Sequence, residues 1–407
     1  MLEILYNRSG YDIIKVRKGV DFMEVYLDNS ATTKPYNQVV DEMCTALRDD
    51  FANPSSAYRK GFLVEKKIKK IRENIANTIG VEDKSIIFTS GGTEGNNAII
   101  RSVARLNKKR KNHIITSSIE HPAVLNTVRS LEEEGFEVTI LGVDETGLVN
   151  VDELEEAITD KTCLVSIMYV NNELGSVQPV QQIGEIVSRH DQVFFHVDAV
   201  QAYGKINFKM KDIGADFMTV SGHKIHGPKG IGFMYIKDPN RFKPLLTGGG
   251  QEFDLRSGTE NVPGIYGLGK AIEILFEDLD SKIEKIRENR DYLYMRISQK
   301  IDGIKLNTDL LRGACHILNI SFDGVKGEVL LHYLDDEGIC VSTGSACSAK
   351  KKGSHVLNAI GLSPAQVDGT IRFSLSEENT RQEMDYVVEK LQKHIEMIRF
   401  FAKKNRR

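Results

Sequence analysis

The sequence predicts an α/β protein: a large domain on a mainly parallel sheet covered by helices on both faces, then a smaller α+β domain. Three features carry this. From about position 85, short apolar runs alternate with amphipathic stretches, the order expected of repeated β–α units. Runs such as "CLVSIMYV" lack polar alternation, which suits strands covered on both faces. The rhythm then changes after Gly264, and 407 residues are too many for one simple core.

In order, "SIIFTSGG" leads into the helical "TEGNNAIIRSVARLNKK", and "HIITSSIEH" into "PAVLNTVRSLEEEG". "TCLVSIMYV" precedes "PVQQIGEIVSRH", after which "QVFFHVDAV" and "DFMTVSG" supply two more strands. One long helical region, "GIYGLGKAIEILFEDLDSKIEKIRENRDYLYMRISQKI", carries the chain away from the first core. The smaller domain follows as "HILNISF", "KGEVLLHYLDDEG", "ICVSTGSAC", "TIRFSLS" and a final helix, "TRQEMDYVVEKLQKHIEMIRFFAKK".

Composition narrows the function. The chain is 41% hydrophobic and 27% charged, ordinary for a globular protein. A net charge of −3 and a pI near 6.4 argue against a protein built around nucleic-acid phosphates. No apolar stretch approaches a membrane span. The five cysteines, Cys44, Cys163, Cys315, Cys340 and Cys347, are scattered and lack CxxC pairing. That pattern suits a reducing, cytoplasmic setting and argues against a disulfide framework or structural zinc. The opening "MLEILYNRSGYDIIKVRKGVDF" has no long apolar core and no small-residue cleavage site, so it does not read as a signal peptide.

Open parallel sheets bind ligands beyond the carboxyl ends of their strands. Gly91, Gly92 and Thr93 fall at such an end, as do His121, Asn172, Asp198 and Lys224. The glycines and Thr93 of "TSGGTEGNNA" open a helix, where bare N–H groups and the positive helix end cradle a phosphate, although ordinary capping explains the segment alone. The stretch matches neither the Walker pattern nor GxGxxG, so nucleotide readings lose support. Asp198, with Gln201 beyond it in "HVDAVQ", can keep a heteroaromatic ring nitrogen protonated; a strand-end cap is the commoner role of such an Asp. His121 could stack on a flat ring and shuttle protons, though a lone His is more often structural. In "SGHKIHGPKG", Lys224 is either a solvated loop lysine or the covalent anchor of a carbonyl cofactor, with Ser221 and His223 near enough to hold its phosphate. His223 and His226 have metal-compatible spacing but no acidic partner motif, so no metal is expected. An amine, a carboxylate, an imidazole and a phosphate cradle on successive strand ends specify pyridoxal phosphate better than any other group.

The segments "YLDNSATTKP", "FANPSSAY", "FTSGGTEGNN", "EHPAV", "VNNELGSVQP", "HVDAVQAYGK", "SGHKIHGPKG", "GGGQEFDLRSGTEN", "STGSACSAK" and "IRFSLS" resemble, in order and spacing, the signature segments of NifS/IscS-type cysteine desulfurases. The resemblance runs from about Met23 to the final helix. It implies the fold-type I architecture with a seven-stranded sheet, and removal of sulfur from L-cysteine to give L-alanine and an enzyme persulfide. On this reading residues 1–22 are an N-terminal extension ahead of a functional start at Met23. Residues 23–36 pack with the small domain, 37–275 form the large cofactor-binding domain, and 276–407 form the small one.

Carried over position by position, the resemblance implies that Lys224 is the Schiff-base lysine, Asp198 the ring-nitrogen partner and Gln201 the neighbour of the phenolic oxygen. It makes His121 the stacking acid/base, places Asn172 on cofactor and substrate, and gives the phosphate to Gly92, Thr93, Ser221 and His223. Thr259 would reach a phosphate across a homodimer interface, and Arg372 would clamp the substrate carboxylate. Cys347 would take the sulfur, with Cys44, Cys163, Cys315 and Cys340 as bystanders. Lys350, Lys351 and Lys352 either favour a thiolate and attract an acidic acceptor or form a plain solvated loop. Acceptors implied by the family include iron–sulfur scaffolds and tRNA-thiolation enzymes. A selenocysteine lyase, a small aminotransferase and a catalytically idle recruiting scaffold are the rival readings.

Overall fold

The computed structural model describes residues 3–4, 15–16, 23–343 and 353–404. A short antiparallel pair, β1 (Glu3–Ile4) and β2 (Lys15–Val16), precedes β3 (Val25–Tyr26). The central sheet takes β4 (Ile86–Thr89), β5 (His113–Ser117), β6 (Glu137–Leu141), β7 (Thr162–Met168), β8 (Phe194–Asp198), β9 (Phe217–Ser221) and β10 (Gly232–Ile236). Then come β11 (Ile304–Leu306), β12 (Ile317–Phe322), β13 (Ile339–Cys340) and β14 (Thr370–Ser374).

The seven strands lie in the order β4-β10-β9-β8-β7-β5-β6. From β6 to β9 all neighbours are parallel, and β10 runs antiparallel to both β9 and β4. Every residue of β4, β5 and β7 to β10 is buried, while the edge strand β6 is largely open. Neighbouring residues enter different cores: Ile86 and Phe88 pack on one face, Ile87 on the other. This two-sided burial is the physical origin of the unbroken apolar runs.

Some elements went unpredicted. "EVTIL" and "GFMYI" form β6 and β10, and helices span Asn37–Arg48 and Arg59–Ile79. The long helical region is also broken. Asp278, with φ −148° and ψ 58°, separates the helices Val262–Glu277 and Leu279–Lys300. The break redirects the chain between cores: Leu268, Ile272 and Leu275 pack with the central sheet, whereas Leu293 and Ile297 pack with β12, β14 and the final helix Arg381–Lys404. Val25 and Leu27 join this second core, since β3 pairs in parallel with β13. Among the described residues, no helix is long and apolar enough to cross a membrane.

The helix Val180–Ser188 packs tightly against the short helix Met210–Ile213. A Cβ on Gly184 would lie 1.9 Å from the Ile213 carbonyl oxygen, whereas one on Gly142 would meet nothing within 4 Å. Gly184→Ala is therefore expected to cost about 2–3 kcal/mol by overpacking against backbone. Gly142→Ala should melt like the parent; equal melting temperatures for the two variants would contradict this packing.

Candidate active site

The carboxyl ends of β5, β7, β8 and β9 open onto a cavity of about 400 Å³. The segment after β3 closes it from one side and the second core from another, bringing Asp28, Ser30 and Arg372 to its wall. Gly92, Thr93, His121, Asn172, Asp198, Gln201, Ser221, His223 and Lys224 line it as well. Residues read separately from the sequence are thus brought together.

Lys224 sits in a short 3-10 turn directly after β9. Its ammonium donates to the carbonyls of Ser30 at 2.5 Å and Ala31 at 2.8 Å. Gln201 donates to the same Ser30 oxygen at 2.9 Å. Asp198 ends β8 and is 4% exposed. Its Oδ2 accepts from Asn96 Nδ2 at 2.7 Å and its Oδ1 from the Val200 amide at 3.0 Å, which fixes the carboxylate plane.

At Gly91 the backbone takes φ 144°, and the helix Gly92–Asn107 starts at once. A Cβ on Gly92 would meet Val200 at 2.8 Å, so glycine is required where the helix start meets the strand ends. Thr93, Ser221 and His223 flank this start in an adjoining cleft that also holds Lys229. His223 shares a hydrogen bond with Thr32 at 3.2 Å. Burial, reinforced by Lys224 and Lys229, pushes its pKa down to about 4.

His121 caps the helix Pro122–Glu133, its Nδ1 accepting from the Ala123 amide at 3.1 Å. The neutral ring therefore carries its proton on Nε2. Burial lowers its pKa; Asp198 opposes that shift, while Lys224 and His355 add to it.

Arg372, on β14, is 7% exposed. Its Nη2 pairs with Asp28 at 2.6 Å and its Nη1 donates to the Asn172 carbonyl at 2.9 Å. Its buried Nε has no hydrogen-bond partner. The fork is anchored, yet keeps N–H groups for a further carboxylate.

The structure adds residues that sequence reasoning missed: Asp28, Ser30, Asn96, Glu173 and His355. Asp28, Ser30, Asn96 and Glu173 lie inside quoted motifs, but no local pattern says which distant partner each meets. Thr259 is exposed and outside the cavity lining. Cys347, Lys350, Lys351 and Lys352 lie outside the described residues. His226 donates from Nδ1 to the Lys34 carbonyl at 2.8 Å and stacks on Tyr36, contacts that suit a structural role.

The lining fits pyridoxal phosphate. It offers an amine for a carbonyl, a held carboxylate for a ring nitrogen, a side-chain-free helix start for a phosphate and an anchored guanidinium for an amino-acid carboxylate.

Glu173 accepts from Ser354 Oγ at 2.5 Å, and Ser354 caps the helix His355–Ala359. Burial pushes the Glu173 carboxyl up to about 7, against the lowering pull of Ser354 and Arg372. A raised carboxyl favours the folded state while protonated. That stability is fully present below about 4.5 and is lost as the pH rises through about 7. Glu173→Gln keeps the acceptor without the charge. Its melting temperature relative to the parent should therefore climb across that window, by about 2 °C or more, and then level off. A gap that stays constant with pH would contradict the burial assigned to Glu173.

The aminotransferase class-V family matches residues 25–387. "Cysteine desulfurase IscS" of Clostridium botulinum (strain Hall) is 45% identical over 379 residues, 92% of this chain and 95% of that protein. A solved "NifS-like protein" superposes with a TM-score of 0.87 at 39% identity, covering 92% of this chain and all of that one. "SspA in complex with cysteine" gives a TM-score of 0.78 at 37% identity, covering 88% of this chain and 100% of that one. With the fold and the cavity in agreement, the chain belongs to the class-V aminotransferase family and, within it, to the NifS/IscS-type cysteine desulfurases, which are fold-type I pyridoxal-phosphate enzymes.

Proposed function

We propose that Lys224, Asp198, His121 and Arg372 perform the cysteine desulfurase reaction in this cavity, with Cys347 as the sulfur-accepting thiol. The chain is a pyridoxal-phosphate-dependent cysteine desulfurase. The observation that carries the assignment of roles is the convergence of the Lys224 amine, the Asp198 carboxylate and the Arg372 fork on one cavity. When bound, the cofactor supplies an electron-withdrawing ring that stabilises charge developing on the amino-acid carbon.

Each side chain has a definable task. Lys224 anchors the cofactor and moves a proton at Nζ. Asp198, oriented by Asn96 and the Val200 amide, keeps the ring nitrogen protonated. Gly92, Thr93, Ser221 and His223 hold the phosphate. Their setting supports this, since a neutral His223 can donate from a ring N–H without an added charge. His121 offers Nε2–H as a proton donor, because its Nδ1 is engaged by the Ala123 amide. Asn172 carries the backbone oxygen that steadies Arg372, and Arg372 takes the substrate carboxylate.

The overall step balances as L-cysteine plus the Cys347 thiol giving L-alanine plus the Cys347 persulfide. The substrate carbon–sulfur bond breaks and a sulfur–sulfur bond forms.

Several finer points extend this reading. A division near the proposed 37–275 and 276–407 is supported by the two cores, although Phe276, Leu279 and Ala314 still pack with the first. A homodimer in which Thr259 serves the partner's phosphate is supported by its exposure away from the cavity. Exposed Phe51, Tyr58 and Phe62 on the early helices and their connection support a covered face. For sulfur acceptors, iron–sulfur scaffold assembly is favoured by the IscS name of the relative, with tRNA thiolation the other destination.

The test incubates cofactor-loaded parent protein with L-cysteine and a thiol reductant, which releases the persulfide sulfur as sulfide, and measures alanine and sulfide. The parent should form both, whereas Cys347→Ala should form neither above background. Alanine production that survives Cys347→Ala would defeat the thiol assignment. Lys224→Ala should lose the yellow, borohydride-reducible adduct. Arg372→Lys replaces a planar fork by a point charge, so KM for L-cysteine should rise about 10-fold or more, with kcat changed far less.

A further inference from the structure

We propose that His316 is a positioning residue for this reaction, acting through Gln201 to set which end of that amide faces the cavity. The inference rests on the reading of Gln201 as the neighbour of the cofactor's phenolic oxygen.

His316 immediately precedes β12 and is 1% exposed. Its Nε2 lies 3.2 Å from Gln201 Oε1. An amide oxygen only accepts, so the ring proton is on Nε2. The opposite nitrogen, Nδ1, is buried with no hydrogen-bond partner. Burial and the positive charges of Lys205, Arg290, Arg372 and Lys224 hold the ring neutral.

The amide is thereby gripped at both ends. Gln201 Oε1 takes the His316 proton, and Nε2 donates at 2.9 Å to the Ser30 carbonyl, which also accepts from Lys224 at 2.5 Å. A flipped amide would set two oxygens against each other at Ser30 and would drive the His316 proton onto Nδ1, which is buried without an acceptor. The held orientation leaves the second N–H of Gln201 as a donor, and Gln201 is part of the cavity lining. A donor at that place stabilises a ring oxygen when it is anionic. Deleting His316 frees the amide to flip and weakens that donor. A residue of the second core therefore tunes a group of the first, across 115 positions of sequence.

The experiment uses cofactor-loaded parent, His316→Phe, His316→Asn, Gln201→Leu and the His316→Phe/Gln201→Leu double variant. It reads the pH midpoint of the bound cofactor's visible absorption band, alongside kcat/KM for L-cysteine. Gln201→Leu should move the midpoint by about one unit. His316→Phe should move it in the same direction and lower kcat/KM about 10-fold. His316→Asn, which keeps an N–H donor, should move it less. The double variant should match Gln201→Leu alone, because His316 has nothing left to orient.

Full additivity of the two single shifts, or a midpoint that moves in Gln201→Leu but not in His316→Phe, overturns the proposal while leaving Gln201 in place. A midpoint unmoved by Gln201→Leu overturns the reading of Gln201, and the proposal with it. If the Phe variant fails to fold, His316→Leu makes the same donor deletion in a smaller volume, with the same expected shift.

Discussion

Arg372 ties three distant stretches of chain to one place. Its side chain pairs with Asp28 and with the Asn172 carbonyl, and its backbone exchanges hydrogen bonds with Ser342 at 2.8 and 3.2 Å. Those partners sit after β3, after β7 and after β13. A partly buried ion pair adds little net stability, because desolvation offsets much of its attraction. Its contribution here is geometric: the two cores meet in one register, and the cavity between them has a defined wall. Removing either partner would leave a charge with poor access to water, so the pair acts as a registration device.

Charge within the cavity is distributed with economy. Burial holds His121, His223 and His316 below the ordinary imidazole range, so the positive charge in and around the cavity belongs to Lys224, Arg372 and Lys229. On the acidic side, burial raises Glu120 to about 8 and Glu173 to about 7. Asp28 spends its charge on Arg372, and Asp198 is gripped at both oxygens. The result is a site that attracts anionic phosphate and carboxylate groups and keeps neutral imidazoles as directional donors.

Sequence exposes this design where structure is local and hides it where it is not. Strand-end position placed Lys224, Asp198, His121 and the Gly92–Thr93 turn together, because parallel β–α order puts successive carboxyl ends on one edge. β6 was missed because an edge strand with exposed Glu137 and Ile140 has no clean period, and β10 because its antiparallel entry breaks the β–α rhythm. The helix break at Asp278 was invisible because charges run through it on both sides; only the switch of cores explains it. Asp28 and Arg372 stand 344 positions apart and Gln201 and His316 stand 115 apart. No spacing rule links such pairs; only the closed tertiary structure does.

The cysteines show how far physical elimination reaches. Sulfur transfer needs a thiolate that can approach the bound substrate. Burial drives the Cys163 thiol up to about 12, where it donates to the His113 carbonyl, and also raises Cys315. Cys44 lies on the helix Asn37–Arg48 and Cys340 on β13, and none of these four lines the cavity. A buried thiol inside a sheet or core cannot leave its packing without unfolding it, and a helix-bound one cannot cross to another face. That leaves these four poorly placed for sulfur transfer, which supports the proposed role of Cys347, the fifth cysteine of the sequence. It follows β13 in sequence by a few residues, and that strand leads into Ser342, the backbone partner of the arginine proposed to hold the substrate.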